Sequence, residues 1–156
     1  MRVWLNRIFL VVAALFVAIQ ARQPSRINPP VDPDLDIKWY EPIKPEVWTI
    51  LARSCSDCHS NQTLWPWYSA VAPISWLVAD DVNEGRSRMN LSEWGSYPLK
   101  KRTALLKGMC EETTEGKMPP AAYTLMHPSA RLSPGDVKTL CQWTRSFERP
   151  QSNQAK

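Results

Sequence analysis

The feature that most constrains this chain is the pentapeptide Cys55-Ser56-Asp57-Cys58-His59, in which a histidine directly follows two closely spaced cysteines. Two cysteines on about one helical turn can reach the two vinyl groups along one edge of a porphyrin, and the next residue then points its imidazole over the ring face. The pattern therefore predicts one covalently bound haem c, with thioether bonds at Cys55 and Cys58 and with His59 as an iron ligand. Such a domain must fold around a large apolar macrocycle.

Three other chemistries use paired cysteines, and each explains less of the pattern. A zinc site needs four ligands, and the remaining cysteines, Cys110 and Cys141, lie too far apart to form a second C-x-x-C pair. A thioredoxin-like redox pair needs a βαβ setting, which the sequence does not indicate. A disulfide within the pentapeptide would close a small, strained loop. The zinc site and this disulfide would also leave His59 without a role.

The chain begins with a hydrophobic segment, residues 1–21, in which Arg2 and Arg7 flank the start of an apolar run from Ile8 to Ile19. The run is short for a full membrane span of about 20 residues, but the apolar residues 3–5 extend it. No clean small-x-small cleavage site follows, which favours a retained membrane anchor over a cleaved signal peptide. In either case the sequence predicts that the domain is exported, into a compartment where haem attachment takes place.

The rest of the chain divides by composition into three parts. Residues 22–44 are rich in proline and poor in periodic apolar residues, which predicts an extended tether between membrane and domain. Residues 45–149 are predicted to form the haem-binding domain, and residues 150–156 a tail.

The spacing of apolar residues in the domain predicts an all-α, cytochrome c-like fold of about four short helices with long loops, wrapped around one haem, plus the N-terminal hydrophobic helix. The last helix has the strongest start signal, because Ser133, Pro134 and Asp136 occupy the N-cap, N1 and N3 positions of a capping box. Long connections in a compact domain need something that organises them, and the haem would do so. The predicted helices run from Pro45 to Cys55, over residues 73–89, from near Pro98 to Cys110, and from Pro134 through Phe147.

The net charge of +4 comes mostly from the N-terminal segment. Three of the 19 basic residues precede residue 24, and the remaining 16 face 15 acidic residues, so the folded part is nearly neutral. The cluster Lys100-Lys101-Arg102 is more typical of a solvated helix face than of a nucleic-acid contact. The sequence therefore predicts no nucleic-acid partner.

A six-coordinate haem needs a second axial ligand, for which Met118 and His127 are the main candidates. Met118 lies in GKMPP, where Pro119 and Pro120 stiffen the chain and reduce the entropy lost in holding the thioether over iron. His127 precedes a proline and could instead bond to a haem propionate or lie in a surface turn. We favour Met118, with His127 and a five-coordinate iron as the alternatives. His/Met ligation suits electron transfer, whereas an open site suits gas binding or peroxidase chemistry.

Several stretches beyond the pentapeptide follow one another in a characteristic order. In this order they resemble the bacterial haem-binding domain family of exported monohaem proteins, over roughly residues 28–145. The resemblance implies covalent haem on Cys55 and Cys58, His59 as the proximal ligand, and an N-terminal anchor or signal. We expect the exported domain to lie on the periplasmic side of the bacterial cytoplasmic membrane. The stretches are NPPVD, CSDCHSNQTLWPWYSAVAPISWLV, GR, NLSEW, GKMPPAAYTLMHPSARLS and LCQW.

A looser similarity is to cytochrome c in general, in which the last helix packs across the helix that leads into the haem motif. Residues 47–52 and 140–143 would play these parts. Cys110 and Cys141 remain outside the motif, and the sequence leaves open whether they form a disulfide or stay as two buried thiols.

These observations lead to one preferred function and two alternatives. The preferred one is a membrane-tethered monohaem c-type cytochrome that carries single electrons outside the cytoplasm between redox protein partners. One alternative is a haem sensor or peroxidase-like enzyme with an open or labile sixth site. The other is a small cytochrome subunit of a larger membrane redox complex.

Overall fold

The computed structural model describes residues 1–147, and every regular element in that part of the chain is a helix. The prediction of an all-α fold with an N-terminal apolar helix is therefore confirmed. Short segments of 3-10 helix lie between several of the α-helices. The α-helices are α1 Arg2–Ile19, α2 Ile37–Tyr40, α3 Pro45–Ser54, α4 Ser56–His59, α5 Ile74–Arg88, α6 Leu99–Thr114, α7 Ala121–Met126 and α8 Pro134–Arg145.

The core forms where α3 and α6 both pack on α8. Leu51 of α3 and Leu140 of α8 are fully buried there, with Leu106 of α6 beside them. The 3-10 segment Leu91–Ser96 adds Trp94, whose indole N–H donates to the Glu41 carboxylate at 2.9 Å. The haem motif follows α3 directly, so this packing fixes its position. The core residues are Ile37, Val47, Leu51, Met89, Leu91, Trp94, Leu106, Met109, Leu140 and Trp143.

Helix α8 begins at the capping box that the sequence predicts. The Ser133 hydroxyl accepts from the Asp136 backbone N–H at 3.1 Å, and the Asp136 carboxylate accepts from the Ser133 backbone N–H at 2.8 Å. The same carboxylate pairs with the Arg53 guanidinium of α3 at 2.7 Å. The cap therefore also ties α8 to the last turn of the helix that leads into the haem motif.

A disulfide between Cys110 and Cys141 joins α6 to α8, with the two Cα atoms 4.8 Å apart. The sequence alone left this pairing open. The bond closes a loop of chain that contains α7, Met118 and His127. The segment that carries both candidate distal ligands is thus held at each end on the same helix pair.

Two helices differ from the sequence-based prediction around this loop. Helix α6 continues to Thr114, past the point where we expected a loop. Gly116 follows its C-cap residue Glu115 with a φ of 69°, the left-handed conformation common just after a helix. Helix α7 lies in a stretch that we expected to be a connection, because its six residues are too few to give a readable apolar period.

The proline-rich segment 22–44 packs on the domain over much of its length, unlike an extended tether. Ile37 is fully buried in the core, and Asn28 bonds to the loop after the haem motif. Short apolar stretches between prolines carry no periodic signal, which is why composition alone favours a linker. The tail that we predicted at 150–156, and the last two residues of the predicted domain, lie outside the described residues.

Helix α1 differs from the others in its exposure. Its 18 residues are exposed or half-buried, and it is long and apolar enough to cross a membrane. At 1.5 Å per residue it spans about 27 Å, close to the thickness of a bilayer's hydrocarbon core. The continuous helix from Arg2 makes the apolar stretch longer than the run from Ile8 to Ile19 alone. These properties are compatible with a membrane anchor or a signal sequence.

Candidate haem site

The pentapeptide occupies the short helix α4 and the residue before it. Cys55 lies between α3 and α4, and its carbonyl accepts from the His59 backbone N–H at 2.9 Å. Cys58 and His59 are therefore about one helical turn from Cys55, as attachment to one porphyrin edge requires. All four cysteines lie in the described part of the chain, and Cys55 and Cys58 are the two free thiols.

Both free thiols are held in their neutral form. Burial raises the pKa of the Cys55 thiol to about 12, with a further contribution from Cys58. Burial also raises the pKa of Cys58 to about 11, and the carboxylates of Asp81 and Asp57 add to the effect. A thioether bond is uncharged, so it is compatible with this buried position.

The imidazole of His59 is oriented by a backbone carbonyl. Its Nδ1 lies 3.0 Å from the carbonyl oxygen of Met89, which can only accept, so Nδ1 carries the proton. Nε2 then has its lone pair available for a metal, the arrangement in which histidine ligands are held in metal sites. Burial lowers the pKa of His59, which favours this neutral form.

A buried polar network holds the Met89 carbonyl in place. The side-chain amide of Asn90 donates to the Asn61 side-chain oxygen at 2.8 Å, and its own oxygen accepts from the Ser92 backbone N–H at 3.0 Å. The Ser92 hydroxyl accepts from the Asn61 backbone N–H at 3.1 Å. The network joins Asn61, two residues after the haem motif, to Asn90, which follows Met89. It therefore fixes the carbonyl that orients the His59 imidazole.

Helix α5 packs against the motif at a glycine. A Cβ built on Gly85 would lie 2.6 Å from the Cys58 carbonyl oxygen, so only glycine permits this approach. The next residue, Arg86, donates to the Ser60 carbonyl at 2.8 Å and to the Asn28 side chain at 2.7 Å. The pair Gly85-Arg86 thus seats α5 on the motif and ties the loop after it to the N-terminal segment.

A second cluster lies on the other flank of the motif, around Asp57. The Tyr123 hydroxyl of α7 donates to the Asp57 carboxylate at 2.7 Å. The His127 ring stacks on the Tyr123 ring with centroids 4.3 Å apart, and the Tyr68 hydroxyl lies 3.4 Å from His127 Nδ1. Sequence reasoning missed Asp57, Tyr123 and Tyr68. Of these three residues, only Tyr123 could have been suspected from the sequence, because it lies shortly after the GKMPP stretch.

Exposed apolar side chains accompany this cluster. Trp67 packs edge-on against Tyr68, with ring centroids 5.8 Å apart, and is itself 77% exposed. Leu64 follows Thr63, whose hydroxyl donates to the Asp57 carbonyl, and is exposed as well. Leu125, two residues before His127, is exposed too. A site for a porphyrin needs apolar walls next to its covalent and metal-ligating groups, and these residues offer them.

Met118 lies apart from the motif in the chain, on the segment between α6 and α7. Its backbone N–H donates to the Glu112 carbonyl at 3.2 Å, which holds it at the end of α6. On the other side, Tyr123 fixes α7 against Asp57. Five residues span at most about 18 Å, so Met118 is kept within that distance of Tyr123.

The residues present fit a haem better than a zinc ion. Cys110 and Cys141 are bonded to each other and cannot complete a four-thiolate site with Cys55 and Cys58. In the described residues no group of three or more His, Cys, Asp and Glu side chains is arranged to hold a metal ion. Two neutral thiols and an oriented imidazole on one helical turn match the donor set of a covalent haem.

Comparison with known proteins agrees with this geometry. The model of the haem-binding domain family matches residues 14–146, which is most of the chain. No curated protein and no solved structure matches the chain significantly. The family match covers the helix that bears the motif, the α5 glycine, the Met118 segment and α8. The chain belongs to the haem-binding domain family.

Proposed function

We propose that this haem protein is a membrane-tethered monohaem c-type cytochrome that carries single electrons outside the cytoplasm. The observation that carries the proposal is the set of two free cysteines and one oriented imidazole within the turn formed by Cys55 and α4. Cys55 and Cys58 would hold the haem covalently, and His59 would ligate its iron. When bound, the haem supplies a reversible one-electron couple, and the polypeptide determines its potential and its access to solvent.

Met118 is the proposed distal ligand. Its thioether is neutral, and its backbone is held at α6 on one side and through Tyr123 on the other. The rival, His127, stacks on Tyr123, and both of its ring nitrogens lie within 3.5 Å of the Tyr68 hydroxyl. These contacts support a role for His127 in the Asp57 cluster. Histidine and methionine together would fill both axial sites, which suits electron transfer without substrate binding at iron.

The N-terminal helix supports the location. α1 has the length and apolarity of a membrane span, and Arg2 and Arg7 near its start favour the cytoplasmic side for that end. The domain would then lie on the periplasmic side. The Cys110–Cys141 disulfide agrees with this compartment, because such bonds persist in oxidising surroundings.

Mass spectrometry and an absorption spectrum test the proposal on protein made in a host that attaches haem to exported proteins. Covalent haem adds the mass of one macrocycle to the denatured chain, and a Cys55→Ser, Cys58→Ser double variant should lose it. A colourless wild-type protein with both thiols open to alkylation would contradict the proposal. Carbon monoxide binding to the native reduced protein would instead favour the sensor or peroxidase-like alternative.

The distal ligand is tested by three matched variants. Met118→Ala should abolish the weak far-red sulfur-to-iron band of the oxidised protein and open the iron to external ligands. Met126→Ala removes a neighbouring, exposed methionine and should leave the band unchanged. His127→Ala should also retain it. If His127→Ala lost the native distal ligand and Met118→Ala kept it, the distal ligand would be reassigned to His127.

A further inference from the structure

The outer end of α1 is joined directly to the domain. The Gln20 side chain, just past the end of the helix, pairs with the backbone of Ala72, donating to its carbonyl at 3.1 Å and accepting from its N–H at 2.9 Å. Two residues later, the Arg22 carbonyl accepts from the Trp76 indole N–H at 2.6 Å. The start of α5 is therefore held beside the end of α1, so no free linker separates the two.

This joint sets the height of α5 relative to a membrane. Because α1 spans about 27 Å, roughly the hydrocarbon thickness, Gln20 lies at its outer boundary. Ala72 is bonded to Gln20 and lies at the same level. The first turn of α5 begins two residues later, within the headgroup layer, which is about 5–8 Å thick on each side of a bilayer.

The composition of α5 changes along its length in the way that this placement requires. Ile74, Trp76 and Leu77 in the first turn are exposed at 44%, 39% and 62%. Asp80, Asp81 and Glu84 follow on the next turns, and all three are exposed. Tryptophan and aliphatic residues favour the membrane–water interface, whereas carboxylates favour water. The composition of α5 therefore indicates that only its first turn lies in the membrane–water interface.

We propose that the first turn of α5, residues 74–77, docks in the headgroup region of the bilayer that α1 spans. This inference rests on the proposed anchoring role of α1. The domain is then held in one orientation on the membrane, since Gln20, Trp76 and the docked turn form three contacts. Gly85 touches Cys58 and lies eleven positions after Ile74 on the same helix, so the haem motif stays within about 17 Å of the interface. This height suits a redox partner embedded in the same membrane.

Spin labels at single introduced cysteines test the docking. In the mature protein the four native cysteines are taken up by haem and disulfide, so Leu77→Cys can be labelled alone. The full-length holoprotein is reconstituted in vesicles of phosphatidylcholine and phosphatidylglycerol. We expect the label to lie about 5–10 Å below the phosphates, more accessible to oxygen than to a water-soluble nickel chelate. Lys107→Cys, on the exposed face of α6, is the control and should remain accessible to the chelate.

The outcomes separate this inference from the function on which it rests. Equal chelate access at positions 77 and 107, in protein that floats with the vesicles, would overturn the docking while leaving the anchor intact. A label at position 77 that is protected from both oxygen and chelate would show that haem or protein covers this turn, which also overturns it. Protein that fails to float would overturn the anchoring and the docking together, whatever its haem spectrum.

Gln20 is tested in the same assay. Gln20→Ala removes both bonds to Ala72, so the label at position 77 should rise toward the water and gain chelate access. Gln142→Ala makes the same chemical change at an exposed site on α8 and should leave the label where it was. An equal response to the two substitutions would contradict the role assigned to Gln20.

Discussion

At the scale of single residues, Gly85 shows how closely the haem motif is packed by its neighbours. The helix that carries it approaches the Cys58 carbonyl so closely that a methyl group in place of hydrogen would overlap with backbone atoms. Backbone cannot move aside as the end of a flexible side chain can. The position of α4 on α5 therefore depends on this one glycine.

We predict that Gly85→Ala destabilises the protein by about 2 kcal/mol, the usual range for overpacking a close contact. It should also lower the yield of protein with attached haem, because α4 would be displaced. Gly108→Ala is a matched control, since a Cβ at that position of α6 meets nothing within 4 Å. The control should stabilise the protein by about 0.5–1 kcal/mol, since alanine is the better helix former. Denaturant unfolding and the haem absorbance per chain measure both effects, and equal behaviour of the variants would contradict the assignment.

The residues that the sequence identifies at this site are those whose spacing is itself the signal. Cys55, Cys58 and His59 lie within five positions, so their arrangement on one turn follows from local geometry. Their partners do not. Met89 and Tyr123 reach the motif through the fold, 30 and 66 positions away from His59 and Asp57 respectively. A carbonyl group and a phenol carry no pattern that marks them beforehand.

At the scale of elements, α8 organises the domain, because α3 and α6 both pack on it. Arg53 of α3 pairs with the Asp136 carboxylate and also donates to the Ser129 carbonyl at 2.6 Å. The sequence predicts the capping box, since its residues lie within four positions. It does not predict that Arg53 shares the cap's carboxylate, because that contact depends on how α3 crosses α8.

This shared carboxylate gives a testable dependence on pH. Burial alone would raise the pKa of Asp136, but the hydrogen bonds from Ser133 and Arg53 lower it below the ordinary value of 3.8. The stabilisation is therefore complete above pH 3.8 and is lost as pH falls through the lower pKa of the folded state. At pH 7, Asp136→Asn should reduce the unfolding free energy by about 1 kcal/mol.

The difference between Asp136→Asn and wild type should shrink as the pH falls below 3.8, because unfolded wild type then takes up the proton before the folded protein does. It should level off below the lower pKa of the folded state, where the carboxylate is protonated in both states. Thermal unfolding between pH 3 and pH 7 measures it. Asp80→Asn, at an exposed position of α5, serves as the control and should show a smaller difference at pH 7. A difference that is independent of pH would show that the asparagine acts through packing.

The disulfide between α6 and α8 gives a second prediction at this scale. A Cys110→Ser, Cys141→Ser variant loses the constraint on a loop of about 30 residues, which corresponds to about 3–4 kcal/mol of unfolding free energy. The loop includes Met118, the proposed distal ligand, so under that proposal the far-red band should weaken at temperatures well below unfolding. Serine at these sites keeps a similar volume. A variant that loses stability but keeps the band at full strength would show that the disulfide supports the helix pair without holding the ligand segment.

At the scale of the whole molecule, the boundary of the folded unit lies earlier in the chain than composition suggests. The core begins at Ile37, whereas the residues of α1 are exposed or half-buried. The intervening segment, residues 22–44, was predicted as a tether because its prolines interrupt any apolar period. In the structure Asn28 bonds to Thr63 and Trp65 in the loop after the haem motif and to Arg86 of α5. The average composition of a segment does not indicate single hydrogen bonds of this kind, because they depend on one residue and on the fold around it.

Two truncations, each exported behind a cleavable signal peptide, separate the proposed anchor from the folded unit. A chain that begins at residue 24 lacks α1 and the contacts of Gln20 with Ala72 and of Arg22 with Trp76, but keeps Asn28 and the whole core. We expect it to be water-soluble, to bind haem, and to unfold within a few degrees of the full-length protein in detergent. A chain that begins at residue 45 also lacks Ile37, a fully buried side chain whose loss corresponds to about 2–5 kcal/mol, and the contacts of Asn28. It should unfold at a clearly lower temperature and lose much of its attached haem. If the two truncated chains were equally stable, residues 24–44 would be a passive linker after all, and the packing seen for Ile37 and Asn28 would contribute nothing to the fold.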